Sequence, residues 1–540
     1  MPKKILLTLL LVTFLTACVP ASPTIDSSQP AESTLAATPV QETAASDWWK
    51  EAIFYEIFVR SFYDSDENGI GDFNGITQKL DYIESLGVNG LWLMPIHPSP
   101  SYHGYDVTNY YNVNHDYGSM DDFKKLLEEA HKRDIKIIID LVINHTSDQH
   151  PFFRNAGSDA NGLYRDWYIW SNESQGNNWR QAGSDSMYYY ALFCGCMPDL
   201  NYNNPEVSAE IYRITDFWLN NVGVDGFRVD AAKHLIEEGG KIENTPATHE
   251  WYRNFYPIYK AQNPQAYTVG EVFGAGSSVI RSYTGDQLDQ VFNFEMSSGF
   301  VNSANGGANS GIISAYKFAA QDMPDHNYAT FLTNHDQTRA MSVFNGKVEK
   351  AKLASFLMLT APGTPFIYYG EEIGMMGQKP DPDLRVPMQW SGEENAGFTT
   401  GTPWRSPNAD YTQVNVTAQS NDPSSLLLHY QTLLKLRKEH SALKQGDAVL
   451  IDTGNPAVFG LLRTSADETL LILVNLSASA VQDYELTLDE SALTGTAFTL
   501  VSIFGNAQNT QSLTVTNGKF QGYMPIAELP PFQGFIFELR

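Results

Sequence analysis

The segment KIIIDLVI, residues 136–143, is nearly continuous in β-branched apolar residues, the pattern of a parallel strand buried on both faces. Similar short runs recur at residues 53–59, 90–96, 224–229, 267–272, 288–294, 329–332 and 365–369. Helical patterns lie between several of them. Phe123, Leu126, Leu127 and Ala130 follow the spacing of one helix face, with Ser119 and Asp122 placed as a capping box. Asn204 and Pro205 read as an N-cap and first helical residue, followed by Val207, Ile211, Ile214, Trp218 and Val222 on one face. Eight apolar strand candidates separated by helix-sized segments suit an α/β chain folded as a (β/α)8 TIM barrel, spanning residues 47–146 and 204–441; the order alone also permits an open sheet. The stretch 147–203, after the third run, is rich in Tyr, Trp, Asn and Gly and reads as a small inserted subdomain. Beyond a helix holding Leu426, Leu427, Tyr430, Leu433 and Leu434, short β-type runs at 469–476 and 498–504 predict a C-terminal β-sandwich over 442–540.

At the other end, Lys3 and Lys4 precede an apolar run from Ile5 to Leu15, too short to span a bilayer, which reads as an export signal over residues 1–17. The stretch Leu15-Thr16-Ala17-Cys18 resembles a bacterial lipobox. Cys18 would then begin the mature chain and carry the lipid, anchoring the exported protein to the cell membrane on its periplasmic or extracellular side. Residues 18–46, rich in Ser, Thr, Ala, Pro and Gln, cannot bury a core and read as a flexible tether. A net charge of −27, from 62 acidic against 35 basic residues, argues against a nucleic-acid partner. A monomer is expected. Cys194 and Cys196 are one residue apart, which makes a relaxed disulfide geometrically awkward, and they are read as structural.

In a barrel, side chains at the C-terminal ends of the strands converge on one mouth. Here those ends are polar: Asp140, Asn144 and His145 after the third run, Arg228, Asp230, Lys233 and His234 after the fourth, Glu271 after the fifth, Asn334, His335 and Asp336 after the seventh. Taken singly, an acid in such a place is more often an ion-pair partner or helix cap than a catalyst. Together they offer what a retaining glycosidase needs, an ionised nucleophilic carboxylate and, about 5 Å away, a protonated carboxyl for the leaving oxygen. Strand side chains alternate, so Arg228 shares a face with Asp230 and should favour its anion. Glu271, flanked by Val269, Val272 and Phe273, sits in an apolar context that should raise its pKa. His145 and His335 are placed to hydrogen-bond sugar hydroxyls, and Asp336 to grip those beside the reacting carbon.

The segments DLVINH, GFRVDAAKH, VGEV and FLTNHD, in this order, resemble the four sequence signatures of the α-amylase family of glycoside hydrolases. The resemblance implies that Asp230 is the nucleophile, Glu271 the acid/base and Asp336 the transition-state stabiliser. It implies that Arg228, His145 and His335 line the reacting sugar's subsite and that Tyr105 and Asp106 complete it, Tyr105 by stacking. Ala231 stands where α-1,6-cleaving relatives usually carry Val, and Lys233-His234 resembles the leaving-group subsite of α-amylases. Cleavage of α-1,4 bonds within starch and maltooligosaccharides is therefore expected. Met197-Pro-Asp-Leu-Asn201 is similar to the motif of a group intermediate between oligo-1,6-glucosidases and neopullulanases. Asp381 and Arg385 match a loop that usually contacts sugars on the non-reducing side.

Asp64, Asp66, Asn68, the Ile70 carbonyl and Asp72 alternate along the chain with Gly69 at the turn, a set of hard oxygen donors suited to Ca²⁺. It is not an EF-hand, because Gly75 stands where the bidentate Glu would be. The family resemblance implies a second calcium on Asn144, Asp199 and the His234 carbonyl. Other activities compatible with the resemblance are an exo-acting α-glucosidase or oligo-1,6-glucosidase, and a transglycosylase such as trehalose synthase, which the stretch 398–446 also resembles. A catalytically silent carbohydrate-binding protein would have had no use for intact Asp230, Glu271 and Asp336.

Overall fold

The eight apolar runs form eight parallel strands: β1 (Phe54–Ile57), β2 (Gly90–Leu93), β3 (Lys136–Leu141), β4 (Gly226–Val229), β5 (Tyr267–Gly270), β6 (Gln290–Val291), β7 (Ala329–Thr330) and β8 (Thr364–Tyr368). In this computed structural model, which describes residues 47–182 and 187–540, they pair in the order β7-β8-β1-β2-β3-β4-β5-β6. A parallel bridge from Phe292 to Ala329, with Asn293 N donating to Ala329 O at 2.9 Å, joins the two ends, so the sheet closes into a barrel. The export signal, Cys18 and the tether lie outside the described residues.

Several ladders are shorter than the apolar runs that predict them. The run 288–294 is paired only at Gln290–Val291, and Val59 belongs to a short helix, Val59–Phe62, rather than to β1. Registry sets the interior. Glu56 pairs with Trp92 and Trp92 with Ile138, while Asp140 pairs with Arg228 and Arg228 with Val269, so these side chains share the inner face. An apolar layer of Phe54, Trp92, Ile138, Tyr267, Val269, Phe292 and Phe366 plugs the barrel, and the polar residues stand above it. Gly90 is required there: a Cβ would fall 2.6 Å from the Phe54 ring.

The helix α1 (Met120–His131) has both halves of its capping box and buries Phe123, Leu126, Leu127 and Ala130. In α2 (Pro205–Asp216) the Asn204 side chain accepts from Glu206 N, and Val207, Ile211 and Ile214 are buried. The helix then widens into a π turn, Phe217–Val222, which keeps Trp218 in the core but leaves Val222 only half-buried.

Between β3 and α2 the insert carries a helix, Pro151–Ser158, and a three-stranded antiparallel sheet with Tyr188–Tyr190 at its centre. Cys194 and Cys196 are joined as a disulfide, contrary to the sequence expectation. The chain turns at Gly195, holding the two Cα atoms 5.2 Å apart, within the range that a disulfide spans. After α3 (Leu426–Glu439), an antiparallel sheet forms from β9 (Asp447–Ile451), β10 (Val458–Thr464), β11 (Thr469–Asn475), β12 (Leu500–Phe504) and β13 (Gly534–Leu539), in the order β9-β10-β11-β13-β12. Its alternation serves two cores. Leu461, Leu470, Ile472 and Ile536 join the barrel's core, while Leu462, Leu471 and Phe537 pack with Leu486, Leu488, Phe520 and Tyr523 of the opposing layer, a β-sandwich.

Candidate active site

A cavity of about 600 Å³ opens at the C-terminal mouth of the barrel, and Tyr105, His145, Asp230, Lys233, His234, Glu271, Asp336, Asp381 and Arg385 all line it. Arg228, 1% exposed, lies beneath it. Its Nη1 donates to Asp140 Oδ1 at 2.6 Å and to Asp230 Oδ1 at 2.7 Å, and its Nη2 to Glu271 Oε2 at 2.6 Å. One planar guanidinium therefore grips both carboxyls that the sequence singles out, not Asp230 alone. Arg385 Nη2 holds Asp336 Oδ1 at 2.7 Å, and His335 Nε2 lies 3.4 Å from Asp336 Oδ2.

These surroundings divide the acids. Burial raises the Glu271 carboxyl above its ordinary range, against the pull of Arg228 and with the added push of Asp230 and Asp336. Burial raises Asp230 too, and Arg228 opposes it through charge and a direct hydrogen bond. For Asp336 burial is outweighed by His335, Arg385, Arg228 and Lys379, which hold it at about 2. Beneath them burial lifts Asp140 to about 7 in spite of Arg228. Phe273 does not provide the apolar cover expected of it; it stands half-exposed at the rim with its ring against Phe294.

Other expected residues occupy supporting places. Asp106 is buried, accepts from the hydroxyls of Ser99, at 2.5 Å, and of Ser101, and lies 3.9 Å from His103 Nδ1. Lys233 pairs with Glu243 at 2.6 Å, and the His234 ring meets the Ile242 carbonyl through Nδ1 at 2.9 Å. Asp381 pairs with Lys379, a cleft residue that sequence reasoning missed. It also missed Phe193 on the cleft wall, whose ring lies 5.4 Å from that of His145 and 5.9 Å from that of His234. Glu56, in β1, was missed as well: it is 2% exposed, with Oε1 at 2.5 Å from His335 Nδ1. Only its polarity within an apolar run could have flagged it.

Two clusters of oxygens offer seats for a cation. Asp64, Asp66 and Asp72 each bring a carboxylate oxygen within 4.8 Å of the others. The Asn68 side chain accepts from Ile70 N at 2.8 Å, and Asp72 also caps the helix Phe73–Gln78. Desolvation raises the Asp66 carboxyl, and its contact with Asp64 and the charges of Asp72 and Asp64 add to the effect, a repulsion that a divalent cation would relieve. In the second cluster Asn144 and Asp199 are buried, and Asn144 Nδ2 donates to Asp199 Oδ2 at 3.0 Å. Asn144 Oδ1 and Glu237 Oε1 are buried without a hydrogen-bond partner, and Asp199 is driven well up by burial, with Glu237 adding to the effect. These donors fit a hard cation, and Glu237 is an addition to the expected set.

Residues 56–446 match the family described as Alpha amylase, catalytic domain. Alpha-amylase 3 of Dictyoglomus thermophilum is 42% identical over 439 residues, covering 80% of this chain and 85% of that protein. An oligo-1,6-glucosidase of Parageobacillus thermoglucosidasius is 35% identical over 514 residues, covering 80% of this chain and 90% of that protein. Among solved structures, the α-amylase from H. orenii superposes with a TM-score of 0.78 at 36% identity, over 91% of this chain and 100% of that one. With a closed eight-stranded barrel, three acids around one mouth and a family match over most of its length, the chain belongs to the α-amylase family of glycoside hydrolases.

Proposed function

We propose that the protein is a retaining α-amylase that cleaves α-1,4-glucosidic bonds of starch and maltooligosaccharides by double displacement. The observation that carries this reading is the fork of Arg228 on Asp230 and Glu271. Two carboxyls joined by one guanidinium favour the short spacing of a retaining pair, about 5–5.5 Å, over the wider gap of about 6.5–9.5 Å that an inverting pair keeps for water. Glu271, raised by burial, protonates the glycosidic oxygen while Asp230 attacks the anomeric carbon and forms a glycosyl-enzyme. The leaving sugar departs past Lys233 and His234. Glu271, now a carboxylate, takes a proton from the water that releases the glucosyl group and restores Asp230. Asp336, kept ionised, holds hydroxyls of the reacting ring as positive charge develops there. Tyr105 and His145 shape the floor of that subsite, and Asp381 and Arg385 the non-reducing side.

Supporting α-1,4 over α-1,6 cleavage are Ala231 after the nucleophile and the likeness to Alpha-amylase 3. Chromatography of the products from end-labelled maltohexaose, with isomaltose and trehalose in parallel, tests it. Internal cuts are expected from the start; glucose alone, or cleavage of isomaltose only, would assign the exo-acting or oligo-1,6-glucosidase reading instead.

The same proposal places Ca²⁺ on Asp64, Asp66, Asn68, the Ile70 carbonyl and Asp72, and on Asn144, Asp199 and the His234 carbonyl, where it would brace loops and take no part in bond cleavage. Chelation is expected to lower Tm by on the order of 5 °C, reversed by Ca²⁺. In Asp66→Ala the part of that shift due to the first cluster should vanish; an identical Tm with and without chelator would remove the metal from the proposal. Export and anchoring through Cys18 belong to this reading too, on the strength of the leader sequence.

A further inference from the structure

Glu56 is an acid of the barrel interior that the double displacement leaves without a task. It projects from β1 into the polar layer, and Oε1 lies 2.5 Å from His335 Nδ1. The other ring nitrogen, Nε2, lies 2.7 Å from the Tyr105 hydroxyl and 3.4 Å from Asp336 Oδ2. Tyr105 can place its own proton on Asp140 Oδ2, 3.3 Å away, which leaves its oxygen free to accept. The ionised Asp336 can only accept. Both neighbours of Nε2 thus call for a proton on that atom. The ring is fully buried, faces the cations Arg228, Arg385 and Lys379, and is held by burial at about 3, so it is neutral and carries one proton. Nδ1 is then bare, and the short contact to Glu56 needs its proton from the carboxyl side.

We infer that Glu56 is a positioning residue whose neutral carboxyl donates to His335 Nδ1, fixing the ring with its proton on Nε2, the atom that faces Tyr105 and Asp336, which line the cleft. The inference rests on the reading of the cleft as an α-glucoside site. Several charged groups surround Glu56: Asp140 on β3, Arg228 on β4, and Asp336 and Arg385 on the loops above. Burial is the largest influence among them and keeps Glu56 far above the ordinary carboxylate range, consistent with a donor rather than an anion. A neutral donor also avoids setting another negative charge beside Asp140 and Asp336.

The wild-type protein labelled with ¹⁵N in its histidines provides the direct test, with His335 assigned by its loss in His335→Asn. A protonated Nε2 and a bare Nδ1 are expected throughout pH 5 to 8. A proton on Nδ1, in either the other tautomer or an imidazolium, overturns the inference. Kinetics on maltotetraose give a second arm. Glu56→Leu, which has no donor, should lose about 10- to 100-fold, more in kcat than in KM. Glu56→Gln, whose amide can still donate, should recover most of that loss. Equal activity in Glu56→Leu, or equal damage in both variants, would count against the role, and should Glu56→Leu fail to fold, the nitrogen spectrum decides. A wild-type protein inert on every α-glucoside would refute the proposed function yet leave the tautomer measurement standing.

Discussion

Glu271→Gln is expected to lower kcat on maltooligosaccharides by about 10²- to 10⁴-fold with little change in substrate binding. The amide keeps the shape and can still accept from Arg228 Nη2 and Ala231 N, both of which reach Glu271 Oε2 in the native site. What it lacks is the proton for the departing oxygen and the base for the incoming water. A substrate with a leaving group that needs no proton should therefore form the glycosyl-enzyme at nearly the native rate, and a small anion such as azide, which needs no base, should then release it as the glycosyl azide. Turnover close to native on an unactivated maltooligosaccharide would show that some other group is the acid. Failure of azide to rescue an otherwise folded variant would show that the amide disturbs Asp230 as well.

Arg228→Leu should be the most damaging change to both activity and stability. It leaves Asp140, Asp230 and Glu271 packed together without the cation that contacts all three. Stranding buried charge in this way costs about 3–5 kcal/mol. The carboxyls would answer by holding protons, and a protonated Asp230 is no nucleophile, so the acid limb of the rate profile should move to higher pH. The stability effect has a definite sign. In the native protein burial already lifts Asp140 to about 7, so its contribution is greatest below the unfolded value near 4 and is lost as pH rises through about 7. Without Arg228 the three folded-state values climb further, and the deficit relative to wild type should widen from pH 5 to pH 8. Thermal melts across that range measure it; a constant gap would mean that lost packing against Trp92, rather than charge, dominates.

The barrel and its acids were legible in the sequence because both leave local marks: apolar runs of strand length, and polar residues at their ends. Residues 53–59 and 288–294 predict longer strands than exist, since hydrophobicity continues where the chain leaves the ladder for a turn or helix. Long-range pairings leave no such mark. Glu56 and His335 are 279 residues apart, and the reach of Arg228 to Glu271 on the neighbouring strand follows from registry, which periodicity does not encode. The Cys194–Cys196 bond was missed because spacing alone says nothing of the turn that Gly195 makes. Asp106 and Arg228 were placed in the right neighbourhood, but their depth below the cleft came only with the packing.

The seam of the barrel carries one more implication. Asp230 and Glu271 follow strands that share four paired positions and whose side chains are 11% and 12% exposed, whereas Asp336 follows two-residue β7, joined to β6 by a single bridge, and its side chain is 38% exposed. The attacking and protonating groups thus follow the more extensively paired strands, and the third acid follows a strand at the sparsely paired seam. Accommodation of a distorted sugar ring would be taken up by Asp336 and its loop, leaving the distance between the other two undisturbed as the reaction proceeds.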